Sequence, residues 1–139
     1  IFEKEATFML SGAKETFMTG QTEVYNNNDL KVSYAKTLKD DNGGIHLLFL
    51  IENNSSKDIT FNVDYDTLSI NGTMTDFISY SKTLSSEVKS ILNIEVSKYK
   101  LEDVKITSPE EISGIEFKLE IRDSDYNEID NPTIQVTTK

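Results

Sequence analysis

The sequence has no cysteine and no tryptophan, and it contains a single histidine and two prolines. Without cysteine the chain has no disulfides, thiolate metal sites or cysteine nucleophiles. A domain of this length can be held together by its core alone, so the missing disulfides do not fix the redox compartment. These absences remove several catalytic and metal-binding classes at the outset.

Basic residues are also scarce, with 14 lysines and arginines against 24 acidic residues and a net charge of -10. Arg122 is the only arginine. Nucleic acids and anionic lipid surfaces are bound through clustered lysine and arginine side chains. We therefore expect no nucleic-acid partner, and an acidic surface that keeps the domain soluble.

Long apolar runs and a leader are missing as well. No run approaches the roughly 20 apolar residues of a membrane span, and no charged segment leads into an apolar one. The chain opens at Ile1 rather than at methionine, so we expect that an upstream signal or anchor has been removed. The length of 139 residues suits one domain. We predict an N-terminal arm or extra edge strands over residues 1–22 and the folded domain over residues 23–139.

The apolar residues that are present fall into strand-sized groups. Residues 45–51 are apolar at every position except His46, which predicts a central strand covered on both faces. Asn71-Gly72 predicts a type I′ hairpin because both positions need positive φ. Other groups alternate apolar and polar residues with the period of half-buried strands, namely Leu30–Tyr34, Ile59–Tyr65, Leu92–Val96, Ile115–Ile121 and Ile134–Val136.

Helical signals are confined to two short stretches. Ser97 is a candidate cap for a turn over residues 98–102, and Ser108-Pro109-Glu110-Glu111 predicts a second capped turn. About seven strands with two brief helical turns favour an all-β fold. The prediction is an antiparallel immunoglobulin-like (Ig-like) β-sandwich.

Several of these motifs occur together in a known family. Residues 51–60 (IENNSSKDIT), 69–72 (SING), 115–117 (IEF) and 121–125 (IRDSD) resemble an uncharacterised Ig-like domain of exported and lipoprotein-type proteins from Gram-positive, mostly clostridial, bacteria. The resemblance covers residues 24–139. It implies an extracellular β-sandwich tethered to the membrane or cell surface. It carries no assigned activity, so it transfers no site residue.

His46 is the one residue through which a Ser-His-Asp or histidine–metal mechanism would have to run. It lies inside an apolar strand, where a period of two places it on the face of Leu48 and Leu50. We interpret it as a structural histidine, and we predict no catalytic residue and no cofactor.

One acidic turn imitates a calcium loop. Asp123, Asp125 and Asn127, with Asp130 nearby, place oxygen ligands at alternate positions. Glu128 stands where an EF-hand loop requires glycine, and the bidentate glutamate is missing. A plain hairpin turn is favoured, and weak calcium binding at these four residues, aided by Asp40 and Asp41, is the alternative.

Other ligand classes leave weaker signals. Exposed tyrosines could form a sugar-binding platform, although the lack of tryptophan weighs against it; the candidates are Tyr25, Tyr80, Tyr99 and Tyr126. A hydrolase with two carboxylates needs a paired site, and no spacing singles out a pair.

We therefore expect a non-catalytic extracellular module that acts as a spacer or binds an unknown protein or cell-surface partner, and that is monomeric. The alternative is a module that binds calcium or glycan. A strand that is apolar on both faces also needs a second cover. We expect Phe8–Leu10 or Phe17–Met18 to provide it; otherwise the face of Leu48 and Leu50 is a dimer or partner surface.

Overall fold

The computed structural model describes residues 22–138, and its regular structure is mainly β-strand. One short helix and one 3₁₀ turn, Pro109–Glu111, connect the last strands. The elements are β1 Thr22–Asn26, β2 Leu30–Lys39, β3 Ile45–Asn53, β4 Ile59–Val63, β5 Ser69–Ile70, β6 Thr73–Met74, β7 Lys82–Leu84, β8 Val88–Val96, α1 Lys98–Asp103, β9 Gly114–Asp123, β10 Glu128–Asp130 and β11 Thr133–Thr137.

The strands form two antiparallel sheets. Sheet 1 has the order β1-β2-β3-β8. In sheet 2 the long strand β9 pairs with β4, β5, β10 and β11, while β7 pairs with β4 and β6 with β5. The chain changes sheets three times, between β3 and β4, between β7 and β8, and between β8 and β9. Strands β2, β3 and β8 facing β4, β9 and β11 reproduce the division of an Ig-type sandwich. The predicted antiparallel Ig-like sandwich is confirmed.

The main core lies between the two sheets and is built from the inward residues of the alternating strands. Phe49 of β3 and Phe117 of β9 meet edge to face with ring centroids 5.1 Å apart, which joins the two sheets directly. Phe61 of β4 is also fully buried. Leu101 of α1 belongs to the same core, so the helix closes one end of the sandwich.

The central strand β3 is buried on both faces, as its apolar run predicted. Leu48 and Leu50 form a second cluster with Ile91 on the outer face of sheet 1, packed against Ala35 and Leu38 of β2. His46 shares this outer face, as its position in the strand predicted. The expected cover from residues 8–10 or 17–18 lies outside the described residues, as does most of the predicted arm. Thr22 already belongs to β1.

The predicted turn chemistry is largely confirmed. Asn71 and Gly72 have φ values of 53° and 85° and join β5 to β6 as a two-residue hairpin. The side chain of Ser97 accepts a hydrogen bond from the amide of Lys100 at the start of α1.

Two local predictions are wrong. Ser108 makes no side-chain cap at the 3₁₀ turn; instead the amide of Thr107 donates to Glu111 Oε2 at 3.3 Å. Tyr65 does not continue β4, because the chain turns after Val63. The Thr67 hydroxyl donates to the carbonyl of Asp64 at 2.7 Å and holds this turn, which leaves Tyr65 exposed.

Neither helical segment within residues 22–138 has the length and apolar character needed to cross a bilayer.

Candidate functional site

The two ends of the sandwich carry different functional candidates. Ile45, the first residue of β3, pairs with Val96, the last residue of β8, so the turn before β3 and helix α1 lie at one end. We call this the helix end. Ile59 pairs with Asp123, so the acidic turn after β9 lies at the other end, which we call the Asp123 end. The nine-residue strand β3 separates the ends by about 26 Å.

A depression of about 270 Å³ lies at the helix end, beside α1. It is formed by the turn after β4, the chain around β6, and the helix. Lys100 Nζ and Asp76 Oδ2 are 3.0 Å apart across it, and this hydrogen bond raises the pKa of Lys100. The wall therefore combines acidic groups, one paired lysine and a thioether, and its residues are Asp66, Met74, Thr75, Asp76, Lys100 and Asp103.

One large apolar side chain in the wall of this depression is exposed, and two exposed tyrosines are sequence neighbours of wall residues. Met74 is 57% exposed and belongs to its wall. Tyr65, next in sequence to Asp66, is 89% exposed, and Tyr99, next to Lys100, is 75% exposed. Sequence reasoning missed this surface, because its residues come from three separate segments and Tyr65 was assigned to a strand.

At the Asp123 end, three of the predicted calcium residues form hydrogen bonds with one another within their own turn. Asp123 Oδ1 accepts hydrogen bonds from the amides of Asp125 and Asn127 at 2.9 and 3.0 Å. The hydrogen bond from the Asn127 amide is the largest influence on the Asp123 carboxyl, and the pKa of that group is lowered. The alternating spacing thus stabilises a hairpin turn, which was the favoured interpretation.

Asp130 is engaged elsewhere. Its Oδ2 accepts from the Tyr25 hydroxyl at 2.7 Å and its Oδ1 from the amide of Asn131 at 2.8 Å. Burial and the contact with Asp130 raise the pKa of Tyr25. Asp40 and Asp41 lie at the helix end, so they cannot share an ion with Asp123. Calcium binding at the Asp123 turn stays a prediction.

His46 is 4% exposed, and both ring nitrogens have partners. Nε2 lies 3.1 Å from Asp40 Oδ2, and Nδ1 lies 3.3 Å from Asn93 Oδ1. Burial alone would raise the pKa of Asp40, but the amides of Gly44 and Asn42, together with His46, outweigh it and lower that pKa. His46 is thus tied into the fold, as interpreted from the sequence.

The predicted tyrosine platform is not assembled in one place. Tyr99 lies at the helix end, whereas Tyr126 lies in the turn after β9 at the opposite end. Tyr25 is half-buried on β1, and Tyr80 is exposed in the connection before β7. A flat sugar platform made from these four side chains is therefore ruled out.

No family model matches the chain, and no curated protein matches it. Among solved structures, it is similar to the yeast GGA1 GAE domain with P21, at 15% identity and a TM-score of 0.46, over 85% of this chain and 98% of that one. The GAE domain of GGA2p from Saccharomyces cerevisiae gives 15% and 0.46 over 86% and 97%. A FixG-related protein from Vibrio parahaemolyticus gives 10% and 0.39 over 81% and 99%. These values are too low to transfer a function, and the fold assignment rests on the strand order above.

Proposed function

We propose that the chain is a non-catalytic Ig-like interaction module of a bacterial surface protein or lipoprotein, and that it binds a partner protein at the helix-end depression. The observation that supports this most is the exposed Met74 in the acidic wall of this depression. Exposed Tyr65 and Tyr99 stand next in sequence to its wall residues Asp66 and Lys100. Tyrosine and methionine are enriched at protein interfaces, and tyrosine supplies a large contact area at low entropic cost.

The charges around the helix-end depression indicate which side chains the partner presents. Lys100 is paired with Asp76, so the carboxylates of Asp66 and Asp103 carry the local negative charge. A volume of about 270 Å³ is below the usual range of small-molecule pockets and suits one large side chain as an anchor. The best-fitting partner is a segment with a lysine or arginine next to an aromatic or aliphatic residue, and opposite charges would speed its association.

Binding can be tested with immobilised domain and synthetic peptides that pair one basic residue with one large apolar residue. Met74→Ala and Tyr99→Ala should each weaken the best peptide about 10-fold, as expected for interface anchors. Tyr126→Ala is the matched control, because Tyr126 is 78% exposed at the opposite end. An equal loss in this control, or no peptide binding at all, contradicts the proposal.

The contribution of the negative charges to partner binding can be tested with a separate double variant. Asp66→Asn combined with Asp103→Asn keeps side-chain size and removes two negative charges. The peptide should bind this variant more slowly, and added salt should weaken the wild type more than the variant. The control is Asp125→Asn in the turn at the Asp123 end, which should leave both the rate and the salt dependence unchanged.

The extracellular, tethered location is also part of the proposal and is supported by the resemblance of the turn and strand motifs to the clostridial family. Treating intact host cells with a protease should remove the chain while cytoplasmic proteins survive. Protection of the chain until the cells are lysed would contradict a surface location.

The hydrolase alternative would use the same hollow, because Asp66, Asp76 and Asp103 share its wall. Screening chromogenic glycosides at high protein concentration separates the two functions. The interaction module predicts no turnover. Hydrolysis by the wild type that disappears in the Asp66→Asn, Asp103→Asn double variant would show that the chain is a hydrolase and would contradict the proposed interaction module.

A further inference from the structure

Three side chains with metal-ligating atoms meet on the outer face of sheet 1. Glu95 on β8 pairs directly with His46 on β3, so both side chains project from the same face. Asp40 comes from the turn that precedes β3. One ligand atom from each of the three lies within 4.8 Å of the others. We propose that Asp40, His46 and Glu95 form a binding site for a divalent transition-metal ion, with Zn²⁺ the best fit.

The spacing of the first two ligands suits this ion. His46 Nε2 and Asp40 Oδ2 are 3.1 Å apart. Around tetrahedral Zn²⁺, with bonds of about 2.0–2.2 Å, neighbouring ligand atoms are about 3.3–3.6 Å apart. An ion can therefore take the place of this direct contact after a shift of a few tenths of an ångström. The flexible Glu95 side chain reaches the ion by rotation about its own bonds and supplies the third ligand.

Outer hydrogen bonds already orient both first ligands. His46 Nδ1 faces Asn93 Oδ1, which leaves Nε2 directed at Asp40. Asp40 Oδ1 accepts the amides of Asn42 and Gly44, each at 2.9 Å, which leaves Oδ2 for the ion. Ligating histidines in metal sites are oriented in this way, by giving the second ring nitrogen a carbonyl or carboxylate partner.

Gly44 allows the close approach on which the site depends. A Cβ at this position would lie 2.8 Å from the carbonyl oxygen of Val96 and 3.0 Å from Asp40 Oδ2. The first atom belongs to the backbone and cannot move away without distorting β8. The absence of a side chain therefore lets the turn lie against the end of β8 and brings Asp40 to His46.

The ligand set also selects the ion. One imidazole with two carboxylates suits Zn²⁺ or Mn²⁺, whereas Ca²⁺ takes six to eight oxygen ligands. The Asp40 side chain is 24% exposed, so the site has an open side through which an ion enters and a water completes the coordination. A bound ion would link the turn that precedes β3 to the neighbouring strand β8. The metal ligands share no residue with the wall of the helix-end depression.

Calorimetry with the intact 139-residue chain, first stripped with a chelator, tests the site. We expect one Zn²⁺ per chain with a Kd on the order of micromolar, about 10-fold weaker Mn²⁺ binding, and no Ca²⁺ binding at about 1 mM. Glu95→Gln should weaken Zn²⁺ at least about 10-fold and His46→Gln about 100-fold. Asp123→Asn, in the turn at the Asp123 end, is the control and should bind Zn²⁺ like the wild type.

A spectroscopic measurement identifies the ligand atom. Long-range ¹H–¹⁵N spectra of the single imidazole should show a Zn²⁺-induced shift that is larger at Nε2 than at Nδ1. The site is overturned if Zn²⁺ gives no heat at about 1 mM, or if affinity is unchanged in both Glu95→Gln and Asp40→Asn. Because Asp40 and Glu95 are half-buried, their two variants decide the matter even if the His46 variant fails to fold.

Discussion

Two five-residue turns, 40–44 and 123–127, are built alike at opposite ends of the sandwich. In each, the first amide donates to the fifth carbonyl, at 2.9 Å from Asp40 and 3.0 Å from Asp123. The fourth amide donates back to the first carbonyl, at 3.2 and 3.0 Å. In each, Oδ1 of the aspartate accepts the amides of the third and fifth residues.

What differs is the surroundings of the second carboxylate oxygen. Asp40 Oδ2 faces His46, with Glu95 beside it, whereas Asp123 is influenced mainly by Asn127 of its own turn. The aspartate spacing that resembled a calcium loop therefore belongs to the turn itself, because the carboxylate satisfies backbone amides. At the turn of residues 40–44, the other two metal-ligating side chains, His46 and Glu95, come from strands β3 and β8 that pack beside it.

The largest difference between the turns should come from their fifth residues. Gly44→Ala places a Cβ against the carbonyl of Val96 and should lower the free energy of unfolding by about 2–3 kcal/mol. Asn127→Ala at the matching position should cost less than about 1 kcal/mol, since it removes only a side-chain hydrogen bond. Urea unfolding of both variants measures this, and equal losses would mean that the close approach at Gly44 is unimportant.

The second-largest difference in stability should come from the first residues of the two turns, Asp40 and Asp123. Asp40→Ala and Asp123→Ala each remove the acceptor of two amides, worth about 1 kcal/mol. Asp40→Ala also takes a hydrogen-bond partner from the buried His46, so its total should be about 2 kcal/mol. The same unfolding experiment gives the order, and an Asp123 variant that is as unstable as the Asp40 variant would refute it.

The fourth residues should respond in opposite directions. Gly43 and Tyr126 have φ values of 88° and 63°, in the left-handed region that favours glycine. Gly43→Ala should therefore destabilise the protein by about 1 kcal/mol, while Tyr126→Gly should stabilise it by about 0.5–1 kcal/mol. Thermal unfolding measures both shifts. A destabilised Tyr126→Gly protein would show that the tyrosine side chain contributes more than its backbone strain costs.

The smallest effect is on acid stability. The pKa of Asp123 is lowered in the folded chain, so its contribution to stability is present above the usual aspartate pKa of 3.8 and is lost as pH falls through the lower folded value. Asp123→Asn keeps the oxygen that accepts the two amides and removes the titration. Unfolding between roughly pH 5 and pH 2 should show a shallower loss for this variant. A steeper loss would contradict the assignment.

Much of the fold was predictable because strand periodicity is local. The alternation in Ile115–Ile121 reports which face of that strand is buried, and the apolar run 45–51 reports that its strand is covered on both faces. The period of two along the second strand placed His46 on the face of Leu48 and Leu50. Residue pairing across strands is not local. Nothing near Glu95 in the sequence indicates that it pairs with His46, about 50 residues earlier. The helix-end depression was missed for the same reason, and Tyr65 shows that alternation continues by chance beyond the end of a strand.

The most direct test of the difference between the turns is a Zn²⁺ titration followed by ¹H–¹⁵N amide spectra of the whole chain. We predict shifts confined to residues 40–46 and 93–96, with residues 123–130 unchanged to the end of the titration. Shifts of equal size at both turns, or at residues 123–130 alone, would contradict the assignment of the metal site to Asp40, His46 and Glu95.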